Sequence, residues 1–386
     1  MKDFQNLFET MFYKKYFSPR ELQYDTKVCT FLSPYDYEQF LNYVDKKIDD
    51  KEICVRLNLK AFNGHVLRFF TSNDLLRLMS NYFDVVIQDT EQTKSFLSLR
   101  NADDIVRSRI YSELEGSLNI ESVPTTRKAM EELGLGKRDP KSLNDQIIIN
   151  MLNGMTFVNK CPEFNKEHLY ELYNILSSGC LDEEDKLIEG NLYRHDQVEV
   201  GGYTGCPVSM LDECMNSLFK FINENLHNKD LKYLLPHIAH YYIAYVHPYF
   251  DYNGRTARMV SYWISLLTNS KILPPIVSEA INQTKSKYYE ALSQTRDSHN
   301  DLTYFLLYIY DVSIKYFLTY KNVEEISDIL KNKAILLSEL EKNYIKKILI
   351  SNKGKFTHQD FTAWINVEMT KQGALKILNS FEEYGI

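Results

Sequence analysis

The sequence predicts a mainly α-helical protein with one short β-hairpin inserted and a small helical unit at its C-terminal end. Three observations carry this. From about residue 103 apolar residues recur every three or four positions, as in Val106, Ile110 and Leu114, which is one face of a helix. Residues 187–207 break that pattern: Tyr193 to Val200 alternates polar and apolar residues and is followed by Gly201, Gly202 and Gly205, a strand–turn–strand signal. Residues 338–386 then read as three short helices, near 338–350, 357–365 and 370–382.

Taken in order, residues 1–100 are mixed and form a region without a motif, with helices expected at about 36–49 and 73–83. The first helix of the central region is expected over about 103–116. Asp103 and Asp104 lie in its first turn, where carboxylates complement the helix dipole, and Gly116 is read as its end. Pro124 opens the next helix. Further helices fit 142–153, 166–178, 209–225, 231–246, 255–267, 284–294 and 302–322. The boundaries that follow are 1–100, 101–322 and 323–386.

Composition narrows the function classes. The chain has 386 residues, 44% hydrophobic and 25% charged, enough apolar material for a core without a metal or disulfide staple. Its 45 basic and 52 acidic side chains give a net charge of −7, which argues against coating nucleic acid or an anionic membrane. Cys29, Cys54, Cys161, Cys180, Cys206 and Cys214 form no C-x-x-C pair, so reduced thiols in a cytoplasmic protein are expected. The N-terminus has no signal-peptide pattern, and the stretch Leu302–Leu318 is interrupted by Asp311 and Lys315; it reads as a buried helix rather than a membrane span.

Chemistry concentrates in His247-Pro248-Tyr249-Phe250-Asp251-Tyr252-Asn253-Gly254-Arg255-Thr256-Ala257-Arg258. Pro248 ends one helix, because proline biases the preceding residue away from α geometry. A second helix begins near Gly254, and its free N–H groups and positive dipole end make an anion site. Arg255 and Arg258 are suited to phosphate oxygens, Asp251 is a hard oxygen ligand, and His247 can accept a proton from a hydroxyl. Each feature alone has an ordinary structural explanation as a helix end, a turn or a solvated charge. Their joint spacing favours a nucleotide-phosphate site.

This segment resembles the signature of the Fic (filamentation induced by cAMP) family, H-P-F-x-D-G-N-G-R-x-x-R, at seven of nine specified positions. Tyr249 replaces Phe, and Tyr252 replaces a Gly. Tyrosine in the left-handed conformation that suits glycine costs roughly 1 kcal/mol or more. Ile238–Tyr241 resembles the family's helix leading into the loop, Tyr193–Gly202 its target-binding flap, and Lys287–Leu292 its nucleotide-side helix; the likeness covers about 100–320.

The resemblance implies a Fic-type helical bundle with a β-hairpin flap and a protein adenylyltransferase that moves AMP from ATP to a Ser, Thr or Tyr hydroxyl of a protein target, itself included. His247 would be the base and Asp251 the Mg²⁺ ligand. Asn253, Gly254, Arg255 and Arg258 would hold phosphates, Tyr289 would contact adenine, and Val198, Glu199 and Val200 would bind the target as an added strand. Many family members carry an inhibitory helix with the pattern [S/T]-x-x-x-E-[G/N]. Ser112 and Glu115, followed by Gly116, are assigned to it as a partial match, since Tyr111 occupies the Ser/Thr position and Ser112 falls one residue closer to the glutamate; Glu115 would pair Arg258. Ser117–Glu121 has the spacing but is followed by Ser122, and Ile188–Asn191 has a glutamate but lacks the serine. Family likeness also raises a homodimer. The competing functions are removal of AMP or transfer of another phosphate-containing group on the same loop, and a non-enzymatic nucleotide-sensing or DNA-binding regulator.

The tail 338–386 reads as a winged-helix-like unit whose wing hairpin would follow Ile386. It carries seven lysines against six carboxylates and no arginine, which favours packing or protein contact over DNA.

Overall fold

A computed structural model describes residues 3–24, 31–88, 102–268, 277–351, 356–365 and 369–386. The chain divides into two compact units, Met1–Ser313 and Ile314–Ile386. Residues 1–100 therefore belong to the same unit as the phosphate-loop helices. The expected boundary near 322 falls within one continuous helix, Thr303–Asn332.

The first unit opens with α1 (Phe4–Tyr13), α2 (Pro19–Tyr24) and α3 (Pro34–Asp45). Asp3 caps α1 by accepting from Asn6 N–H at 3.0 Å, and Ser33 caps α3, which has proline in its first turn. The antiparallel strands β1 (Cys54–Arg56) and β2 (Arg68–Phe70) pair Cys54 with Phe70. Helix α4 (Asn73–Tyr82) follows. Phe8, Phe12, Phe40 and Phe70 form one core with Tyr304. The Tyr16 hydroxyl donates to Asp301. The N-terminal region is thus welded to the segment that enters the long helix.

Next come α5 (Ala102–Ile120), α6 (Arg127–Gly134), α7 (Leu143–Lys160) and α8 (Lys166–Ser177). The hairpin β3 (Glu199–Val200) and β4 (Tyr203–Thr204) lies in the Gly-rich segment, where the alternation placed it. It is followed by α9 (Val208–Asn225), α10 (Leu235–Val246), α11 (Asn253–Thr268), α12 (Ser278–Gln283), α13 (Lys285–Asp297) and α14 (Thr303–Asn332). Helix α10 is buried on every side, with Leu235, Ile238, Ala239, Tyr242, Ile243 and Val246 all in the core; such a helix runs through the middle of a bundle. Helix α11 packs against it, with Ala257, Val260, Trp263 and Ile264 buried. Burying each large apolar side chain here contributes about 1.5–3 kcal/mol. Among the described residues no helix is long and apolar enough to cross a membrane.

One helix departs from expectation. Gly116 does not end α5, which continues to Ile120. The glycine marks a close crossing instead: a Cβ there would lie 2.3 Å from the Glu279 amide nitrogen. Buried Glu113 locks the same crossing by accepting from the N–H groups of Val277 and Ser278, at 2.8 and 2.9 Å, and from the Ser278 hydroxyl. The helix stops where Ser122 adopts a left-handed φ of 60°. Ser122 N–H bonds Asn119 O, and Val123 N–H bonds Leu118 O, the paired bonds of a Schellman terminus.

The second unit contains the end of α14, then α15 (Glu339–Ser351), α16 (His358–Ile365) and α17 (Lys371–Tyr384), matching the three expected helices. Val323, Tyr344, Ile345, Phe361, Ala374 and Phe381 form its core. No strand is found among its described residues. Five cysteines are free thiols; Cys29 lies outside the described residues.

Two predictions follow from the packing. Gly→Ala in a helix usually gains about 1 kcal/mol, but Gly116→Ala will lose about 3 kcal/mol or more, because the new methyl meets backbone; a urea titration reads the sign. Burial also lowers the pKa of His237 to about 4 and holds His240 well below its usual value. The unfolded imidazoles take up protons near pH 6.5 and the folded ones do not. Stability will fall as pH drops from about 6.5 to 5, by up to about 1.4 kcal/mol per pH unit for each histidine. His237→Phe will remove one histidine's share of that slope in urea melts run across the range.

Candidate active site

The loop between α10 and α11 is shaped by its own sequence. His247 closes α10 in a left-handed conformation, φ 55° and ψ 64°, with its N–H on Ile243 O; the proline that follows disfavours continuing the right-handed helix there. Tyr249 is buried and stacks on Tyr173 at 3.7 Å. Asn253 then ties the loop: its Oδ1 accepts from Tyr249 N–H at 3.0 Å and its Nδ2 donates to Tyr249 O at 2.8 Å. This differs from the expected phosphate role, since both ends of the Asn253 amide are used by backbone. Thr256 N–H bonds Tyr252 O, so the N–H groups of Asn253, Gly254 and Arg255 precede the helix ladder.

Tyr252 takes the glycine-like conformation, φ 65°, while its ring is buried. The Arg255 guanidinium lies 3.4 Å from the centre of that ring and 3.3 Å from the Asp251 carboxylate. A cation on an aromatic face stabilises by about 0.5–2 kcal/mol, which offsets the backbone strain. Arg255 is thereby turned away, and it is not among the residues lining the adjoining cleft. The two arginines do not share one task.

That cleft has a volume of about 340 Å³. His247, Asp251, Gly254, Arg258, Tyr288 and Tyr289 are among the residues that line it. Asp251 and Tyr289 are the accessible members, with 52% of the Asp251 side chain and 45% of Tyr289 exposed. Burial lowers the His247 pKa to about 4, against an opposing pull from the Ala244 carbonyl. The ring is therefore neutral near pH 7 and able to accept a proton.

Arg258 is almost wholly buried, so its charge needs a partner. Its Nε donates to Ser117 Oγ at 2.9 Å, and its Nη2 donates to Ser117 O at 3.2 Å and to Glu121 Oε1 at 2.7 Å. Burial raises the Glu121 pKa, but Arg258, Arg255 and Lys285 outweigh it and hold the carboxylate below its usual range. The expected pairing of Glu115 with Arg258 is thus replaced. Because α5 runs on past Gly116, residues 117 and 121 share the face that reaches Arg258. Glu115 lies about 120° around the helix from Glu121, and Ser112 about 180°. Gly254 makes room for the pair: a Cβ there would lie 2.7 Å from Glu121 Oε1 and 3.1 Å from Arg258 Nη1. The Glu121 carboxylate therefore sits over the N-terminus of α11, where an anion is favoured. On the far side, Tyr288 hydroxyl meets His240 Nε2 at 2.8 Å.

The hairpin stands beside the cleft. Val198 O accepts from Gly205 N–H at 3.0 Å, Glu199 accepts from the Thr204 hydroxyl at 2.8 Å, and Val200 lines the cleft. Tyr203 pins it by donating to Ala244 O at 3.1 Å, and the Arg296 guanidinium sits 4.2 Å from the Tyr203 ring centre.

Arg194, given no role by the sequence, is the main tie between hairpin and loop. Buried, it donates from Nε to His247 O at 2.9 Å, from Nη1 to Asp196 O at 2.7 Å, and from Nη2 to Cys206 O. The signal was an arginine beside Tyr193 in an otherwise alternating segment.

Known proteins share part of this sequence and its fold. Residues 163–265 match the family model described as Fic/DOC family. The chain is 31% identical over 126 residues to "Protein adenylyltransferase Fic" of Nematostella vectensis, covering 32% of this chain and 27% of that protein. It is 30% identical over 128 residues to the protein of the same name from Drosophila ananassae, covering 33% and 24%. The chain thus spans about a quarter of the length of these curated relatives. A Fic family protein from Desulfovibrio desulfuricans G20 shares the fold, with a TM-score of 0.54 at 17% identity over 77% of this chain and 85% of that one. The family match takes in the His247 loop near its C-terminal end and the fold is shared beyond it, so this chain carries a Fic domain over residues 163–265.

Proposed function

We propose that this chain transfers AMP from ATP to a hydroxyl of a protein, and that Glu121 restrains it by holding Arg258. The observation that carries this reading is one cleft onto which a neutral His247 ring, the accessible Asp251 carboxylate and the N-terminus of α11 all open.

In the reaction the target oxygen bonds to the α-phosphorus, the bond to the pyrophosphate oxygen breaks, and the hydroxyl proton passes to the His247 ring. Free N–H groups at the start of α11 receive phosphate oxygens. A triphosphate beside His247 raises its pKa from about 4 toward neutrality, since a nearby anion favours the imidazolium. Asp251 fits Mg²⁺, which favours one or two carboxylates plus phosphate oxygens; the ion supplies charge neutralisation on the phosphates. Tyr289 offers an accessible ring for the base. Val198, Glu199 and Val200 offer an edge to which an extended target segment adds. Arg258 binds the outer phosphate once Glu121 leaves it.

The test uses Mg²⁺ and ATP labelled at the α- or the γ-phosphate. Label retained from the α position alone supports AMP transfer, and label retained from the γ position marks a kinase. No covalent label from Glu121→Gly with either substrate overturns the reading in favour of AMP removal or nucleotide binding alone. His247→Ala will lower labelling by about 10²–10⁴-fold, as loss of a general base does. Glu121→Gly will raise it about tenfold or more, equivalent to about 1.4 kcal/mol of freed Arg258 binding, while Glu115→Ala will leave it within about twofold.

A further inference from the structure

Away from the cleft, three segments of the first unit converge on one carboxylate. Asp45 ends α3, His65 lies between β1 and β2, and His299 lies between α13 and α14. Asp45 Oδ2 stands 2.8 Å from His299 Nδ1 and 3.7 Å from His65 Nδ1. The two imidazoles stack with centres 3.7 Å apart and planes 13° apart. A ligand atom from each of the three residues falls within 4.8 Å of the others.

The arrangement is built rather than incidental. Asn63 and Asn300 exchange side-chain hydrogen bonds of 2.9 and 2.7 Å, and Asn300 Nδ2 also donates to His65 O at 3.0 Å. These bonds zip the two histidine-bearing loops together. His299 and Asn300 hold φ of 55° and 64° in succession. Consecutive left-handed non-glycine residues persist only where their surroundings over-determine them, and such outliers gather at functional sites.

A proton does not complete this cluster. One proton serves the 2.8 Å contact, but 3.7 Å is too long for a hydrogen bond from His65. Tetrahedral zinc with bonds of about 2.0–2.1 Å places its ligand atoms about 3.4 Å apart. The two observed distances bracket that value.

We propose that Asp45, His65 and His299 bind one divalent transition-metal ion of the zinc type. Two imidazoles and a carboxylate suit such an ion better than Mg²⁺ or Ca²⁺, which prefer all-oxygen sites. Supporting contacts are in place. Glu38, seven residues before Asp45 on α3, puts Oε1 3.3 Å from His299 Nε2, the carboxylate–histidine support common at metal sites. Buried Arg68 holds the other Asp45 oxygen at 2.7 Å. The ion would staple α3 and the β1–β2 loop to the segment entering α14. That loop also carries Phe62, whose ring stacks on Tyr245 of the cleft wall at 4.3 Å.

The test is metal binding by the full chain, whatever its activity. After dialysis against a chelator, Zn²⁺ is titrated by calorimetry and Co²⁺ by visible absorption. One equivalent should bind with Kd of about 1 µM or tighter. The Co²⁺ spectrum should lack thiolate charge-transfer bands, which separates this site from the free cysteines. His65→Gln, on a partly exposed loop, and His299→Gln should weaken binding about 100-fold or more, and Glu38→Gln about 10-fold. Binding weaker than about 100 µM, binding unchanged in a His65→Gln protein whose circular dichroism matches the parent, or thiolate bands in the Co²⁺ spectrum would each overturn the proposal.

Discussion

Arg258, with only 3% of its surface exposed, lies in the interior of the first unit. Left alone there, the Arg258 charge would cost several kcal/mol. Three of its hydrogen bonds go to the C-terminal end of α5, where Ser117 and Glu121 present a hydroxyl, a carbonyl and a carboxylate. That demand fixes how far α5 extends and on which face it docks. A carboxylate at a helix C-terminus is unfavourable for the dipole by itself, so each partner resolves a problem the other would otherwise have. The Glu113 lock and the Gly116 crossing hold the rest of the helix in register with this contact.

Much of this was legible in the sequence, for identifiable reasons. The elements of the phosphate loop are contiguous, and proline, glycine and a helix start act locally, so His247, Asp251 and Gly254 could be placed without tertiary knowledge. Helices with a clear apolar period were found to within a few residues. What was missed depended on distant partners. Gly116 reads as a terminator when the Ser278–Glu279 backbone that crosses it is out of sight, and its fit to the last position of the inhibitory pattern favoured Glu115 over Glu121, which Ser122 follows. Arg194 finds its acceptors 2 to 53 residues away. The strands β1 and β2 are three residues each, too short for a period-two signal to stand out.

Departures from the expected pattern also proved informative. Tyr252 and Ser122 stand where glycine or asparagine is expected, yet both adopt the left-handed backbone that those residues favour. The geometry was kept and the side chain was put to use. Tyr252 buries its ring beneath Arg255 and draws that arginine off the cleft. Ser122 closes α5 one residue after the carboxylate that meets Arg258. At these positions backbone shape is the stricter requirement, and residue identity follows the available packing.

The missing side chain of Gly254 has a further consequence. It opens a notch over the start of α11 just large enough for one acidic group, and Glu121 fills it. On the proposed reading, that carboxylate, tethered by a locked helix, would be a competitor whose local concentration does not depend on how much protein is present. An anion entering the notch would then meet a fixed handicap, its apparent affinity divided by a constant that the geometry of α5 sets. The notch would set a threshold on ligand concentration, adjustable by small shifts of one helix end.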